Sequence, residues 1–128
     1  MKNPEPNIAR HLKQFLAEYL TQQRGCSLHT VWSYRDALCS LLRHLQETHG
    51  IAPNRVKITD LSADNIMAFL NYLQKSRKNS DETRNLRLSA IRTFAKYLRW
   101  KEPTLTSDLE GLLAIPTKRT SLTRCSTS

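Results

Sequence analysis

The segment from Ser80 to Lys101 constrains the fold most, because it has the pattern of one helix with two different faces. At 100° per residue its apolar side chains fall in a single arc, the stripe that a helix turns toward a protein core. The arc contains Leu86, Ala90, Ile91, Phe94, Tyr97 and Leu98. Ser80 is a suitable N-cap, and Asp81 and Glu82 follow it where the helix dipole favours negative charge.

The opposite arc of this helix is cationic. It carries Arg84, Arg92, Lys96 and Arg99, with Asn85 and Ser89 between them. No acidic residue occurs from Thr83 to Lys101, so the cations repel one another instead of pairing along the helix. The whole chain has a formal net charge of +9, with 20 Lys and Arg against 11 Asp and Glu. We therefore expect this helix to lie on an anionic partner, with nucleic acid as the first hypothesis.

Further apolar stripes at helical spacing predict three more main helices. The first runs from about Asn7 to Arg24 and ends at Gly25; the second begins after the N-cap Ser27 and ends at Gly50. The third lies within residues 61–78, capped by Asp60 or Ser62, and residues 107–114 suit a short fifth helix. No strand-like alternation is present. The sequence predicts an all-α, compact four-helix bundle in one domain.

The polar side of the second helix allows two interpretations. It holds His29, Ser33, Ser40, Arg43 and His44, which could contact phosphates or base edges or could form an ordinary solvated face. For this helix alone the solvated face is the preferred interpretation. Trp32 lies off the apolar stripe, and we expect it to pack against a neighbouring helix rather than a partner.

Domain boundaries and compartment follow from composition. We expect an extended lead-in over residues 1–6, one folded domain over 7–116 and a disordered tail over 117–128. No apolar run reaches the roughly 20 residues that span a bilayer, and no signal-peptide pattern begins the chain, so we expect a cytoplasmic protein without a membrane partner.

The three cysteines and four histidines have no metal-ligand spacing. We expect no metal, no cofactor and no small-molecule substrate.

Three motifs in order resemble a known family. They are Ser27-Leu28-x-Thr30-x-x-x-Tyr34-x-x-Ala37-Leu38, then Ile58-Thr59 before a helix with Phe69 and Leu70, then Thr83-x-Asn85-x-Arg87-Leu88-Ser89-Ala90-Ile91-Arg92-x-Phe94-x-x-Tyr97-Leu98. The pattern is similar to the N-terminal core-binding (SAM-like) domain of tyrosine recombinases, the phage-integrase family, over about residues 8–116. In that family this domain and a catalytic domain clamp opposite sides of duplex DNA.

The resemblance implies that helices two and four face the major groove. The DNA contacts it suggests, together with the cationic arc, are Thr30, Ser33, Arg43, Thr83, Arg84, Asn85, Arg87, Ser89, Arg92, Lys96 and Arg99. We assign Arg84, Arg92 and Lys96 to phosphates, and Asn85 and Ser89 to base edges or waters. Thr30 and Tyr34 could instead be structural. Arg87 lies within the apolar arc, where pairing with an acid such as Asp36 and contact with DNA are equally favoured.

The given sequence departs from the family pattern after Pro116, where about a dozen polar residues remain and we expect no catalytic domain. The tyrosines Tyr19, Tyr34, Tyr72 and Tyr97 lie on apolar stripes or at their edges and lack a cluster of positive groups. We therefore expect a domain that binds double-stranded DNA for DNA integration and recombination, is not an enzyme by itself, and could contact other recombinase protomers. The alternative is a helical protein–protein interaction module.

Overall fold

Serine caps fix where three of the helices begin. In the computed structural model, which describes residues 8–23, 25 and 27–116, Ser27, Ser62 and Ser80 are the N-caps of the long helices. Each serine oxygen accepts a hydrogen bond from the backbone N–H three residues later, at 3.1–3.2 Å. Asp60 instead accepts from the backbone N–H of Lys57 at 2.8 Å. These caps explain why the predicted helix starts are confirmed.

The described residues form five α-helices and contain no strand. The helices are α1 (Ile8–Gln14), α2 (Leu28–His49), α3 (Ala63–Lys75), α4 (Asp81–Lys101) and α5 (Thr106–Leu113). Short 3-10 helices occupy Pro53–Arg55, Ile58–Leu61 and Pro103–Leu105. The all-α prediction is confirmed, including the short fifth helix. The predicted lead-in over residues 1–6 and tail over 117–128 lie outside the described residues.

The first predicted helix changes type halfway. After α1 the chain continues as a π-helix over Phe15–Gln23. The buried positions Ile8, Leu12 and Phe15 are spaced four and three residues apart, but the next fully buried residue, Leu20, comes five later. A five-residue step matches the i→i+5 hydrogen bonding of a π-helix. The predicted apolar stripe is buried or half-buried as far as Leu20, but the change from an α-helix to a π-helix was not predicted.

Helix α4 is the centre of the bundle, where it packs against α2, α3 and α5. Fully buried side chains come from every part of the fold; the largest include Phe15, Leu38, Leu45, Ile66, Phe69, Leu70, Leu88, Ile91, Leu98 and Leu109. Each such burial contributes about 1.5–3 kcal/mol. Phe15 also packs with Phe94 and Tyr97, at ring-centroid distances of 5.2 and 5.3 Å, and so joins the N-terminal segment to α4.

The buried face of α4 differs from the predicted arc. Leu88 and Ala95 are fully buried and Arg84 is only 3% exposed, whereas Leu86 is 59% exposed. The prediction was wrong for Arg84 and Leu86 because it assumed one packing partner. Since α3 also packs against α4, the face that includes Arg84 and Leu88 is covered, while Leu86 lies at an open edge of the contact with α2.

Two side chains of α2 also differ from expectation. Trp32 is 60% exposed, so the expected packing against a neighbouring helix is absent. His44 was expected on the polar, solvated side, but it is 8% exposed. Its imidazole packs against the rings of Phe69 and Tyr72, at 5.4 and 5.1 Å between centroids. Helix α3 covers this part of α2, which the period of α2 alone does not reveal.

Candidate nucleic-acid interface

One exposed row of polar side chains follows α4 along most of its length. Positions 85, 89, 92, 96 and 99 recur at steps of three and four residues, which places them on one side of the helix. The row consists of Asn85, Ser89, Arg92, Lys96 and Arg99, and we call it the α4 polar row. Ser89, Lys96 and Arg99 are exposed, and Asn85 and Arg92 are half-buried. At 1.5 Å per residue the row is about 21 Å long, comparable to about six base-pair steps.

The charge of the α4 polar row is not neutralised by nearby acids. Within residues 8–23, 25 and 27–116, none of Arg92, Lys96 and Arg99 forms an ion pair with a carboxylate. The two acids of α4, Asp81 and Glu82, stand in its first turn. Asp81 is also engaged, since it accepts a hydrogen bond from the side-chain amide of Gln74 at 2.6 Å. The body of the helix therefore presents uncompensated positive charge.

A cleft of about 100 Å³ separates the first half of α2 from the start of α4. Its lining consists of Ser33, Asp36, Ala37, Thr83, Leu86 and Arg87, and we call it the α2–α4 cleft. Three predicted contact residues, Ser33, Thr83 and Arg87, thus lie together. Arg87 and Asp36 share the cleft, yet no ion pair within 4 Å joins these two described side chains. The half-buried guanidinium therefore faces a cleft that is open to solvent.

Two predicted contacts take part in helix capping. The hydroxyl of Thr30 accepts a hydrogen bond from Ser27 at 3.1 Å, and that of Thr83 accepts one from Ser80 at 3.2 Å. Both threonines also donate their backbone N–H to the same serine. Their positions at the starts of α2 and α4 are consistent with a structural role, which was one of the two interpretations for Thr30.

Arg84 is buried beside Asn85, at one edge of the α4 polar row. Its terminal nitrogens lie 3.4 Å from the side-chain oxygen of Asn85 and 3.9 Å from the sulfur of Met67, while its buried Nε has no hydrogen-bond partner. A guanidinium covered in this way does not reach a ligand on the surface. The burial of Arg84 therefore argues against its assignment to a phosphate.

A second, smaller cleft lies between the last half of α2 and the end of α3. Its polar lining is Ser40, Arg43, His44, Glu47, Tyr72 and Arg77, and we call it the α2–α3 cleft. Arg43 was a predicted contact; Arg77 was placed only in a basic turn. Tyr72 also lines this cleft, together with the two arginines. Nothing in the linear sequence links Arg43 to a position 34 residues later.

Burial changes the acid–base behaviour of two aromatic side chains. Burial lowers the pKa of His44 below 6.5, and the charge of His49 lowers it further, against a smaller opposing effect of Glu47. Burial likewise raises the pKa of Tyr97 above 10.0, with Glu18 and Tyr19 adding to the shift. His44 is therefore neutral, and the Tyr97 phenol protonated, at neutral pH.

The part of the chain that the structure describes contains no helix long and apolar enough to cross a membrane. The same residues contain no group of three or more His, Cys, Asp or Glu side chains that could hold a metal ion.

Comparison with known proteins identifies the family. The sequence profile of the family described as phage integrase, N-terminal SAM-like domain, matches residues 12–102. The chain is 36% identical over 113 residues to "Putative integrase/recombinase y4rC" of Sinorhizobium fredii, covering 88% of this chain and 34% of that protein. It is 35% identical over 112 residues to "Putative integrase/recombinase y4rD" of the same organism, covering 88% of this chain and 40% of that protein.

A third relative carries a more specific name. The chain is 32% identical over 105 residues to "Tyrosine recombinase XerC" of Herpetosiphon aurantiacus, covering 82% of this chain and 32% of that protein. The chain thus spans between about a third and two fifths of the length of these curated relatives. No solved structure matches it significantly. The profile match and these relatives confirm the resemblance found in the motifs, and the chain belongs to the phage-integrase family as an N-terminal SAM-like domain.

Proposed function

We propose that this chain binds double-stranded DNA in DNA integration and recombination, holding the duplex against α2 and α4. The observation that carries the proposal is the α4 polar row, whose cations have no carboxylate partner among the described residues. Neighbouring cations in the row repel one another, and a nearby anion relieves this repulsion; DNA carries one negative charge per about 1.7 Å of helix axis. The major groove of B-DNA is also wide enough to admit an α-helix.

Different members of the row suit different parts of DNA. Arg92, Lys96 and Arg99 suit phosphates, because a cation gains from any phosphate regardless of sequence. Asn85 and Ser89 suit base edges or bridging waters, since amide and hydroxyl groups both donate and accept hydrogen bonds. In the α2–α4 cleft, Arg87 and Ser33 lie together and are further candidate donors to DNA.

We further propose that the chain does not cleave DNA by itself. Tyr97 is 4% exposed and its raised pKa keeps the phenol protonated, which opposes nucleophilic attack. Tyr19 and Tyr34 are half-buried and pack against Phe15, at 5.7 and 6.3 Å between ring centroids. Tyr72 is also half-buried, and its ring packs against the His44 imidazole at 5.1 Å. We expect no covalent protein–DNA adduct when the chain is incubated with a nicked duplex, a substrate on which covalent intermediates of cleavage accumulate.

The test of binding is a titration of fluorescently labelled duplex DNA at several salt concentrations. We expect affinity to fall steeply with salt, since each neutralised phosphate releases counterions, and we expect Lys96→Ala to reduce the log–log slope by about 0.9. Arg55→Ala is the matched control, because it removes the same unit of charge from a 3-10 helix away from α4. Equal effects of the two substitutions would show that net charge, not the α4 polar row, governs binding.

A second candidate function is contact with another protein, including other recombinase protomers. It is favoured by four exposed apolar side chains on α2 and α4: Leu28, Trp32, Leu86 and Trp100, which are 65%, 60%, 59% and 57% exposed. A protein partner would bind with little dependence on salt or on a phosphate competitor. Trp32→Ala would then weaken self-association in sedimentation experiments without changing the salt slope for DNA.

A further inference from the structure

The α2–α3 cleft brings together positive groups from separate parts of the chain. Arg43 comes from α2, and Arg77 from the turn that follows α3. Both arginines and Glu47 are exposed, and no ion pair within 4 Å joins Glu47 to either arginine among the described residues. With two guanidinium groups against one carboxylate, the cleft keeps a net positive charge while His44 is neutral.

The turn that carries Arg77 is held by its own backbone. The N–H of Ser76 donates to the carbonyl of Tyr72 at 2.8 Å, and the N–H of Asn79 donates to that of Leu73 at 3.0 Å. Lys78 has a φ of +55°, the left-handed conformation in which a helix end closes back on itself. The turn therefore holds the backbone of Arg77 beside the cleft, so less entropy is lost when its side chain binds a ligand.

The floor of the cleft is polar although it is covered. His44 is 8% exposed and packs against Phe69 and Tyr72, and Ser40 adds a half-buried hydroxyl one turn earlier on α2. Two guanidinium groups, an imidazole and a hydroxyl make a set of donors that suits phosphate oxygens, to which arginine can donate two parallel hydrogen bonds. Burial lowers the pKa of His44. An anion in the cleft would act in the opposite direction and favour the protonated imidazole.

The position of the cleft relates it to the α2–α4 cleft. At 100° per residue, the α2 residues that line both clefts, from Ser33 to Glu47, fall on one side of α2. Ser33 and Arg43 are ten residues apart, or about 15 Å along the helix axis. A duplex lying against the start of α4 can therefore extend along α2 toward Arg77.

We propose that the α2–α3 cleft binds one backbone phosphate of the DNA duplex, with Arg43 and Arg77 as its two cationic sides and Ser40 and His44 as its floor. This proposal rests on the proposed function, and it extends the DNA-contacting surface beyond α4 to the turn between α3 and α4. The ligand is a phosphodiester, recognised without regard to base sequence.

The first test replaces Arg77 by Ala and measures affinity for duplexes that carry a single neutral methylphosphonate at successive positions. On unmodified DNA, we expect Arg77→Ala to weaken binding roughly tenfold, as for a charged hydrogen bond, with Arg55→Ala as the matched control. At one methylphosphonate position the effect of Arg77→Ala should disappear, because the phosphate charge is already absent. If the effect of Arg77→Ala persists at every position, the proposal is wrong.

The second test does not depend on DNA. Inorganic phosphate is added at constant ionic strength while the NMR signals of the His44 imidazole are followed. We expect a saturating shift that is lost in Arg77→Ala and strengthened in Glu47→Gln, because the two substitutions change the charge of the cleft in opposite directions. If inorganic phosphate shifts the His44 signals but the chain does not bind DNA, the proposed function is wrong and the cleft is a phosphate site for another ligand. If the chain binds DNA but shows neither the His44 shift nor a methylphosphonate position that abolishes the effect of Arg77→Ala, the proposed site in the cleft is wrong.

Discussion

Arg84 is a buried cation with no carboxylate partner among the described residues, and this makes it a costly residue in the fold. Because Met has a similar length and no charge to desolvate, we expect Arg84→Met to raise the free energy of unfolding by about 1 kcal/mol or more. DNA affinity should not change. Chemical denaturation and the labelled-duplex titration measure the two quantities.

Arg92→Met provides the matched control on the α4 polar row. It should leave stability within about 0.5 kcal/mol, as is usual for surface substitutions, and weaken DNA binding. A loss of DNA affinity in Arg84→Met as large as that in Arg92→Met would mean that Arg84 reaches DNA after all.

His44 links stability to pH. Its folded-state pKa is lowered, mainly by burial, so the unfolded chain binds the proton more readily. The stability that this difference contributes is present above the unfolded value of about 6.5 and is lost as pH falls below it, by about 1.4 kcal/mol for each unit of pKa difference. In His44→Gln this loss should be absent. Between pH 7.5 and 5, the unfolding free energy of the unsubstituted chain should therefore fall relative to that of His44→Gln. Parallel curves for the two proteins would contradict the assignment.

The burial or exposure of individual side chains was the hardest feature to predict from the sequence. Helical periodicity gives the side of the helix on which each side chain lies. Whether another helix covers that side depends on the tertiary packing. Arg84 and His44 are buried because α3 packs against both α4 and α2, and Trp32 and Leu86 are exposed because no described element covers them. Arg77 had no signal beyond its basic neighbours, since its relation to Arg43 exists only in the folded chain.

At the scale of the helix, the start of α4 depends on Ser80. Its side chain accepts a hydrogen bond from the Thr83 N–H at 3.1 Å and donates one to the Thr83 hydroxyl at 3.2 Å. We expect Ser80→Ala to lower the free energy of unfolding by about 1 kcal/mol, the usual cost of losing an N-cap. Ser80→Asp, which keeps an acceptor and suits the helix dipole, should restore most of it. Equal losses in both variants by thermal denaturation would contradict a capping role.

Helix boundaries were predictable where local chemistry sets them. Ser27, Ser62 and Ser80 cap their helices through bonds that span three residues, and Gly50 closes α2 with a φ of +68°, a conformation that glycine adopts without strain. The π-helix over Phe15–Gln23 was not predictable in this way. Its stripe of apolar residues fits an α-helix equally well, and the five-residue step to Leu20 emerges only from packing.

For the whole molecule, the sequence determined the fold class and the family, because both depend on patterns repeated over the full domain. Four long apolar stripes without strand-like alternation leave few alternatives to an all-α bundle. The arrangement of the proposed DNA surface depends more on tertiary contacts. The α4 polar row was largely visible in the sequence, whereas the two clefts that border α2 required knowledge of how α2, α3 and α4 cross.

The central claim is that duplex DNA lies against α4 and the adjoining side of α2. The most direct measurement is a map of backbone amide NMR shifts in the intact chain as duplex DNA is added at low salt. We expect the largest shifts at the α4 polar row, in the α2–α4 cleft and near Arg43 and Arg77, with little change in α5. Shifts concentrated in α1 or α5, with α4 unaffected, would contradict the account.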